Sequence, residues 1–466
     1  MVSALGVWMN GRHVGVWRKV RGDRDQFVYE DAWLEDPQFR PLSLSLPVTA
    51  SREITSSLVR NYFDNLLPDN SQIRERMRSR YHVRSAETFD LLEAIGRDCV
   101  GAVQLMPPGQ TPIGWDRIES KLLKAQDVEA ILRAVPTTAG PLSAQSGDDE
   151  GFRISIAGAQ EKTALLRIGN AWHRPLGATP TTHILKLPLG IVGGGLQLDL
   201  SDSVDNEWLC AALFEAIQLP VARTQIATFG DQRVLVVERF DRLWSNIGTL
   251  DPNAARFKPA SDAWIARLPQ EDFCQATGQP PDAKYEKDGG PGMTQILRIL
   301  ARSETPERDS SLFALSQLMF WFLAATDGHA KNFSIFLRRE GYGMTPLYDL
   351  LSAWPVIGNK GRQLQPQKVK IAMAMRTGNR PHYRWNEIQP RHFKVLAQSL
   401  PDPDLWSKML DTARSVPEAI ASVKRRLPPD LKESVWTSVT DGFAKKAEEF
   451  LRGAEAPRLR PVAHKK

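Results

Sequence analysis

The sequence predicts a bilobal α+β fold with an added N-terminal α+β subdomain and a mainly helical C-lobe, and three observations predict it. Short apolar runs of strand length, punctuated by Gly and Asn turns, crowd residues 152–240. From about Asp241 onward, helix-period patterns dominate. Between an apolar helix-like run (Leu312 to Leu323) and the alternating Phe333-Ser334-Ile335-Phe336-Leu337 lies the stretch ATDGHAKNF, residues 325–333. It sets Asp327 and Asn332 five residues apart, with His329 and Lys331 between them, and Asp349 follows in PLYDLLSAW. An Asp, an Asn five residues on and a further Asp beyond a hairpin form the minimal constellation of phosphoryl-transfer kinases. There the first Asp orients the attacking hydroxyl, and the Asn and second Asp hold Mg²⁺. The fold class is therefore protein-kinase-like.

Composition narrows the class. A chain of 466 residues buries a large core and divides into two or three subdomains. No run approaches 18 apolar residues, which argues against a membrane span. The opening MVSALGVWMNGRHVG lacks a basic region followed by an apolar one, so no signal peptide is expected and the expected location is cytoplasmic. Cys99, Cys210 and Cys274 are far apart and odd in number, which fits reduced thiols rather than a disulfide framework or a zinc knuckle. A net charge of +6 is mild for this length and does not by itself indicate nucleic-acid binding.

Taken in order, residues 1–150 form the N-terminal subdomain. Asn10-Gly11 between alternating apolar runs predicts a hairpin over residues 4–17. PLSLSLP (Pro41 to Pro47) predicts a short strand, and Leu58, Tyr62, Phe63, Leu66 and Leu67 a helix that Pro68 interrupts. The run Arg74, Arg76, Arg78, Arg80 reads as a solvated helix face or a partner-facing patch. A strand follows at Ala102 to Met106, then a helix at Leu122–Val135 and a turn-rich linker up to residue 150. This subdomain shows no catalytic-looking cluster of its own.

Residues 151–242 form the nucleotide-binding lobe. FRISIAGAQEKTALLRIGNAW reads as strand, glycine loop, strand and a turn at Gly169-Asn170. THILKLPLG (Thr182 to Gly190) is a buried-looking strand carrying Lys186, whose charge requires an anionic partner or an escape to solvent. The helix in VDNEWLCAALFEAIQLP places Glu207 near its N-terminus, and strands ARTQIATF and QRVLVVERF turn at Gly230-Asp231. Residues 243–466 form the helical C-lobe, with a Gly-Gly-Pro-Gly turn opening a helix, a helix at Ser310–Leu323, and helices at His392–Leu427 and Lys432–Arg452 with Pro breaks. The tail RGAEAPRLRPVAHKK is expected to be disordered.

In a kinase reading Lys186 pairs with nucleotide phosphates, Glu207 orients that lysine, and Glu238 and Phe240 stand where the connector meets an adenine. Asp327 is the base; Asn332 and Asp349 supply the oxygen ligands that hard Mg²⁺ prefers. Singly these signals are weak. Asp-x₄-Asn recurs by chance, Asp349 fits a cap on the Leu350–Trp354 turn, and His329 fits a structural role. AGAQEK is not a GxGxxG loop, and Gly193-Gly194-Gly195 reads as a connector rather than a phosphate loop. Their order along the chain carries the argument.

The collinear motifs LGVWMNGRHVG, RPLSLSLP, YFDNLLPD, GRDCVGAVQL, FRISIAGAQEKTALL, THILKLP, SVDNE, VERFDR, LPQED, DGGPG, TDGHAKNF, PLYDLLSA and PRHF resemble the HipA family, serine/threonine kinase toxins of type II toxin–antitoxin modules. The resemblance runs over nearly the whole chain and implies a HipA-like kinase fold. It implies ATP contacts at Ala157, Gly158, Lys186, Glu238, Phe240, His329, Lys331, Asn332 and Asp349, with Asn332 and Asp349 also binding Mg²⁺. It implies Asp327 as catalytic base and Ser155 as an autophosphorylation site that silences the kinase. An aminoacyl-tRNA synthetase, notably glutamyl-tRNA synthetase, is the implied substrate, its phosphorylation leading to dormancy or persistence. The implied partner is a HipB-like helix-turn-helix antitoxin, and through it operator DNA.

NKGRQLQPQKVKIAMAMRTGNRPHYRW carries Lys360, Arg362, Lys368, Lys370, Arg376, Arg380 and Arg384 without an acid. A loop near this place touches DNA in the family, which marks Arg376, Arg380 and Arg384 as candidate phosphate contacts; the competing reading is a solvated loop. Two rival functions remain: a catalytically weak corepressor subunit serving the antitoxin–operator complex, and a small-molecule kinase sharing Asp-x₄-Asn. The intact Lys186, Asp327, Asn332 and Asp349 argue against the first, and AGAQEK with the N-terminal motifs against the second.

Overall fold

The computed structural model describes residues 3–22, 24–137, 155, 157, 158, 160–192, 197–378 and 380–455. The strand expected just before Ser155, the linker beyond residue 137, Gly193-Gly194-Gly195 and residues 456–466 of the expected tail lie outside the described residues.

The expected hairpin opens the chain. Strands Ala4–Met9 and Arg12–Val20 pair antiparallel across Asn10 and Gly11, both at positive φ (46° and 77°), as a turn matching the strand twist requires. With Arg24–Tyr29, Glu53–Thr55 and Val103–Met106 they form a five-stranded antiparallel sheet. Leu5, Val7 and Met9 point to one face and pack with Trp17, Phe27 and the helix residues Tyr62, Phe63, Leu91 and Leu92. PLSLSLP departs from expectation: it forms one isolated bridge, Ser43 to Leu46, and no strand. Its alternation is spent on another task, because Leu44 N–H donates to Glu271 Oε1 at 2.9 Å and Ser43 Oγ donates to the other carboxylate oxygen.

A six-stranded sheet follows, in the order Thr224–Phe229, Gln232–Glu238, His183–Lys186, Lys162–Ile168, Ala171–Pro175, Ser120–Leu123. Its far edge differs from the sequence expectation. Leu122 and Leu123 belong to a strand, and the helix begins only at Ala125, running to Ala134. Both elements lie with this sheet rather than with the first: Val128 and Leu132 share a core with Leu165, Leu185 and Val234. The helix Ser203–Ala216 is buried along most of its length and joins this lobe to the large C-lobe core.

That core is built on the helix Pro306–Phe322, which starts four residues before the expected Ser310, with Pro306 in its first turn. Strand Ser334–Leu337 pairs with Gln270–Asp272 and Tyr342–Met344, and these strands frame the 325–333 stretch. Helices Pro390–Gln398, Leu405–Lys424 and Glu433–Glu455 close the lobe. Two expectations are corrected here. Pro417 sits inside a continuous helix, and residues 452–455 of the expected tail continue the last helix. Among the described residues no helix is long and apolar enough to cross a membrane, and all three cysteines are free and buried.

Glu271 couples the N-terminal sheet unit to the C-lobe and carries a pH signature. Burial pushes its carboxyl up to about 8, against the hydrogen bonds from Leu44 and Ser43. The fold therefore favours the uncharged form. This contribution to stability is full below the ordinary carboxyl range and lost as pH rises through about 8. Urea titrations at several pH values should show unfolding free energy falling between about pH 5 and about pH 8 more steeply in the wild type than in Glu271→Gln. Parallel curves would exclude Glu271 as the source.

Candidate active site

Between the lobes lies a cleft with an empty volume of about 1360 Å³, its open mouth included. Its upper wall is strand His183–Lys186, where the buried Lys186 sits opposite Leu235 on one side and Lys162 on the other. The required anionic partners are present. Lys186 Nζ meets Glu207 Oε1 at 2.5 Å and also contacts the Asp349 carboxylate. A buried ammonium without such partners would cost several kcal/mol, roughly. Asp349 is no simple turn cap: it holds φ of 56° in the left-handed region, a conformation that non-glycine residues keep where surrounding structure enforces it.

Above the cleft runs the glycine loop. Lys162 Nζ donates to Ala157 O at 2.6 Å, and a Cβ on Gly158 (φ 108°) would meet that same nitrogen at 2.5 Å. Burial, followed by the nearby charge of Lys186, brings the Lys162 ammonium down to about 7. Ser155 lies just before this loop and is fully buried, its N–H donating to Asp98 O at 3.0 Å and its Oγ to Leu66 O at 2.7 Å. At the connector Glu238 and Phe240 both line the cleft. Glu238 accepts from Asn253 Nδ2 at 3.3 Å, and Phe240 packs against Phe336 and Tyr348.

The floor is the 325–333 stretch. Asn332 Nδ2 donates to Asp327 O at 2.7 Å and His329 N–H donates to the same carbonyl at 2.8 Å, which fixes the backbone of Asp327. The Asp327 carboxylate is 57% exposed and accepts from the phenol of Tyr285. His329 Nε2 lies 3.7 Å from Asp327 Oδ1; burial lowers this imidazole to about 4, so it is neutral near pH 7, and its buried Nδ1 has no hydrogen-bond partner among the described residues.

Lys331 points under the loop, where Asn65 Oδ1 (2.8 Å), Asp69 Oδ1 (3.3 Å) and Asp272 Oδ2 (3.7 Å) surround its ammonium. Burial alone would lower it, but the Asp272 and Asp69 carboxylates hold it above the usual lysine range.

Asn65 and Asp69 come from YFDNLLPDN, in the subdomain where sequence reading saw no catalytic cluster; both line the cleft. Lys162 and Tyr285 were missed as well. A signal existed for Lys162, since pairing the two expected strands sets it beside Lys186. Asp69 and Tyr285 reach the site only through long-range contacts that no local pattern announces.

Among the described residues no cluster of three or more His, Cys, Asp and Glu forms a self-sufficient metal cage. Asn332 and Asp349 are hard oxygen donors lining the same cleft, the donor chemistry that suits Mg²⁺ sharing its shell with phosphate and water. Arg376, Arg380 and Arg384 lie elsewhere, on the hairpin of Lys370–Thr377 and Arg380–Arg384. Arg376 is paired with Glu286, and Arg384 approaches Glu387 at 3.4 Å.

Comparison with known proteins gives the family. Residues 154–426 match the HipA-like C-terminal domain and residues 5–106 the HipA N-terminal domain. The chain is 36% identical over 385 residues to the putative kinase Y4mE of Sinorhizobium fredii, covering 81% of this chain and 82% of that protein. It is 28% identical over 405 residues to the serine/threonine-protein kinase toxin HipA of Shewanella oneidensis, covering 84% and 82%. A solved complex of Shewanella oneidensis HipA, HipB and operator DNA contains a chain that superposes with a TM-score of 0.74 at 25% identity, covering 97% of this chain and 98% of that one. With both domain models matched in order and a relative above 30% identity along most of its length, the chain belongs to the HipA family.

Proposed function

We propose that this chain is an ATP-dependent serine/threonine protein kinase acting as the toxin of a HipA/HipB-type module. The observation that carries this reading is the Lys186–Glu207 ion pair facing Asp327 and Asn332 across one cleft. Active protein kinases need that lysine–glutamate pair formed and the metal-binding acid, here Asp349, in place beside it. Lys186 holds the nucleotide phosphates, Ala157 and Gly158 cover them, and Glu238 and Phe240 flank the adenine. His329 and Lys331 complete the nucleotide side of the floor.

Phosphoryl transfer asks the protein for positioning and charge more than for covalent chemistry. Asp327 accepts the proton of a Ser or Thr hydroxyl as its oxygen bonds to the γ-phosphorus and the bond to the bridging oxygen of ADP breaks. Asn332 and Asp349 are the residues that would hold Mg²⁺, which when bound draws charge from the phosphate oxygens. The protein substrate we propose is an aminoacyl-tRNA synthetase, with glutamyl-tRNA synthetase first, its modification slowing translation and favouring dormancy.

Ser155 is proposed as the silencing autophosphorylation site. A phosphate adds about −1.5 to −2 charge. It would not fit where the Ser155 oxygen now donates to a buried carbonyl. Modification therefore requires the segment to leave its seat, an order–disorder switch beside the nucleotide.

Incubation of purified protein with labelled ATP and Mg²⁺ tests the reading. Label is expected on Ser155 in the wild type and none in Asp327→Asn, while Ser155→Ala should remain toxic to expressing cells. Wild-type protein that labels neither itself nor any synthetase would refute the kinase assignment.

The exposed arginines of the 370–384 hairpin favour an accompanying role, phosphate contact with operator DNA through a HipB-like antitoxin. Reversing the charge of Arg380 and Arg384 together should weaken operator binding by the toxin–antitoxin complex and reduce its salt slope by about 2. An unchanged slope would remove the hairpin from the interface.

A further inference from the structure

We infer that Tyr285 is a positioning residue for the transfer reaction: its phenol holds one oxygen of the Asp327 carboxylate so that the other faces the acceptor hydroxyl. The inference rests on Asp327 being the base. Tyr285 Oη donates to Asp327 Oδ1, while the backbone of Asp327 is fixed by Asn332 and His329. The carboxylate itself is more than half exposed. Without the phenol its side-chain torsions would be free to exchange on the picosecond to nanosecond scale of exposed rotamers. A base must lie within hydrogen-bond reach of the proton it takes, and small misplacements there are costly.

Tyr285 is built to do this. Burial, and then the charge of Asp327, raise its phenol well above the usual range, so it keeps its proton and donates. Its ring stands edge-on to His329 at 5.0 Å and 87°. Its carbonyl accepts from Asp288 N–H and Gly290 N–H, each at 3.0 Å, closing a turn in which a Cβ at Gly290 would lie 1.9 Å from Ala283 O. The residues on either side are tied down separately. Lys284 Nζ meets Asp69 Oδ2 at 2.9 Å, and Glu286 accepts from Ala374 N–H at 2.6 Å and pairs with Arg376. Tyr285 is thus presented to Asp327 by a turn anchored to the N-terminal subdomain and to the basic hairpin. It does not line the nucleotide cleft, although Lys284 and Asp327 do.

The charged and titratable groups around the pair come from three elements. Lys284, Lys287 and Asp288 lie on the same turn, His329 and Lys331 on the catalytic stretch, and Asp69 on the N-terminal subdomain. All remain in place in Tyr285→Phe, which keeps the ring and loses only the donor.

The test uses the full chain and its rate of self-labelling from labelled ATP with Mg²⁺ at one fixed pH, measured as a function of ATP concentration. Tyr285→Phe should lower the rate at saturating ATP about ten-fold and leave half-saturating ATP unchanged. A rate equal to or above wild type would overturn the inference and make the phenol a plug in the acceptor position. A lower rate accompanied by a raised half-saturating ATP would overturn it in favour of general loosening of the site. Asp327→Asn run alongside separates the two levels: if it labels like the wild type, the base assignment itself fails.

Discussion

Everything in this molecule hangs on a buried knot of charge behind the connector. Asp98 of the N-terminal subdomain meets Arg242 at 3.0 Å, Arg267 at 3.2 Å and Arg239 at 3.4 Å, while Arg239 and Arg242 share Asp241 at 2.9 and 3.1 Å. All five side chains are almost fully buried. Burial alone would raise the Asp98 carboxyl, but the three guanidiniums hold it far below the usual range. Such a knot gives little net stability when complete, yet removing one member costs about 3–5 kcal/mol because the rest stays charged and buried. Its main effect is to fix register. Gly101 N–H donates to Asp241 Oδ2 at 2.7 Å and Arg239 N–H to Thr182 O at 2.9 Å, so the connector bearing Glu238 and Phe240 is locked to both neighbours.

The same N-terminal subdomain seats both the floor and the roof of the cleft. Asn65 and Leu66 are consecutive. Asn65 gives its carbonyl and side-chain oxygens to Lys331 under the 325–333 stretch, and Leu66 gives its carbonyl to Ser155 before the glycine loop. The Asp98 carbonyl completes the seat of Ser155, while the Asp98 side chain belongs to the knot. A subdomain that looked like an addendum in the sequence is thus a wedge that sets the floor and the roof of the cleft together.

This explains what could be read in advance. That Lys186, Glu207, Asp327, Asn332 and Asp349 meet in one cleft was legible because each sits at a fixed place in a local pattern: a strand, a helix start, a turn. Asn10-Gly11 was legible for the same reason, since two positive φ values in a row select those residues. PLSLSLP misled because period-two alternation describes side chains, whereas the chain there spends a backbone N–H and a hydroxyl on Glu271, 227 and 228 residues away. Pro417 misled because tertiary packing of Val416, Ala419 and Val423 holds a helix that local propensity would interrupt. Asp69 and Tyr285 stayed hidden because their partners lie in other segments of the chain.

The hairpin arginines, finally, are not equivalent. Arg380 lies exposed on a strand, and among the described residues Arg384 has a long contact with Glu387 at 3.4 Å, so both can meet a phosphate without breaking a strong bond to a described residue. Arg376 meets one only by releasing Glu286, whose other oxygen accepts from Ala374. Glu286 is the neighbour of Tyr285 in the turn that reaches Asp327. Any anion that captured Arg376 would therefore act on an anchor of the turn that reaches Asp327, whereas anions held by Arg380 and Arg384 would leave that anchor untouched.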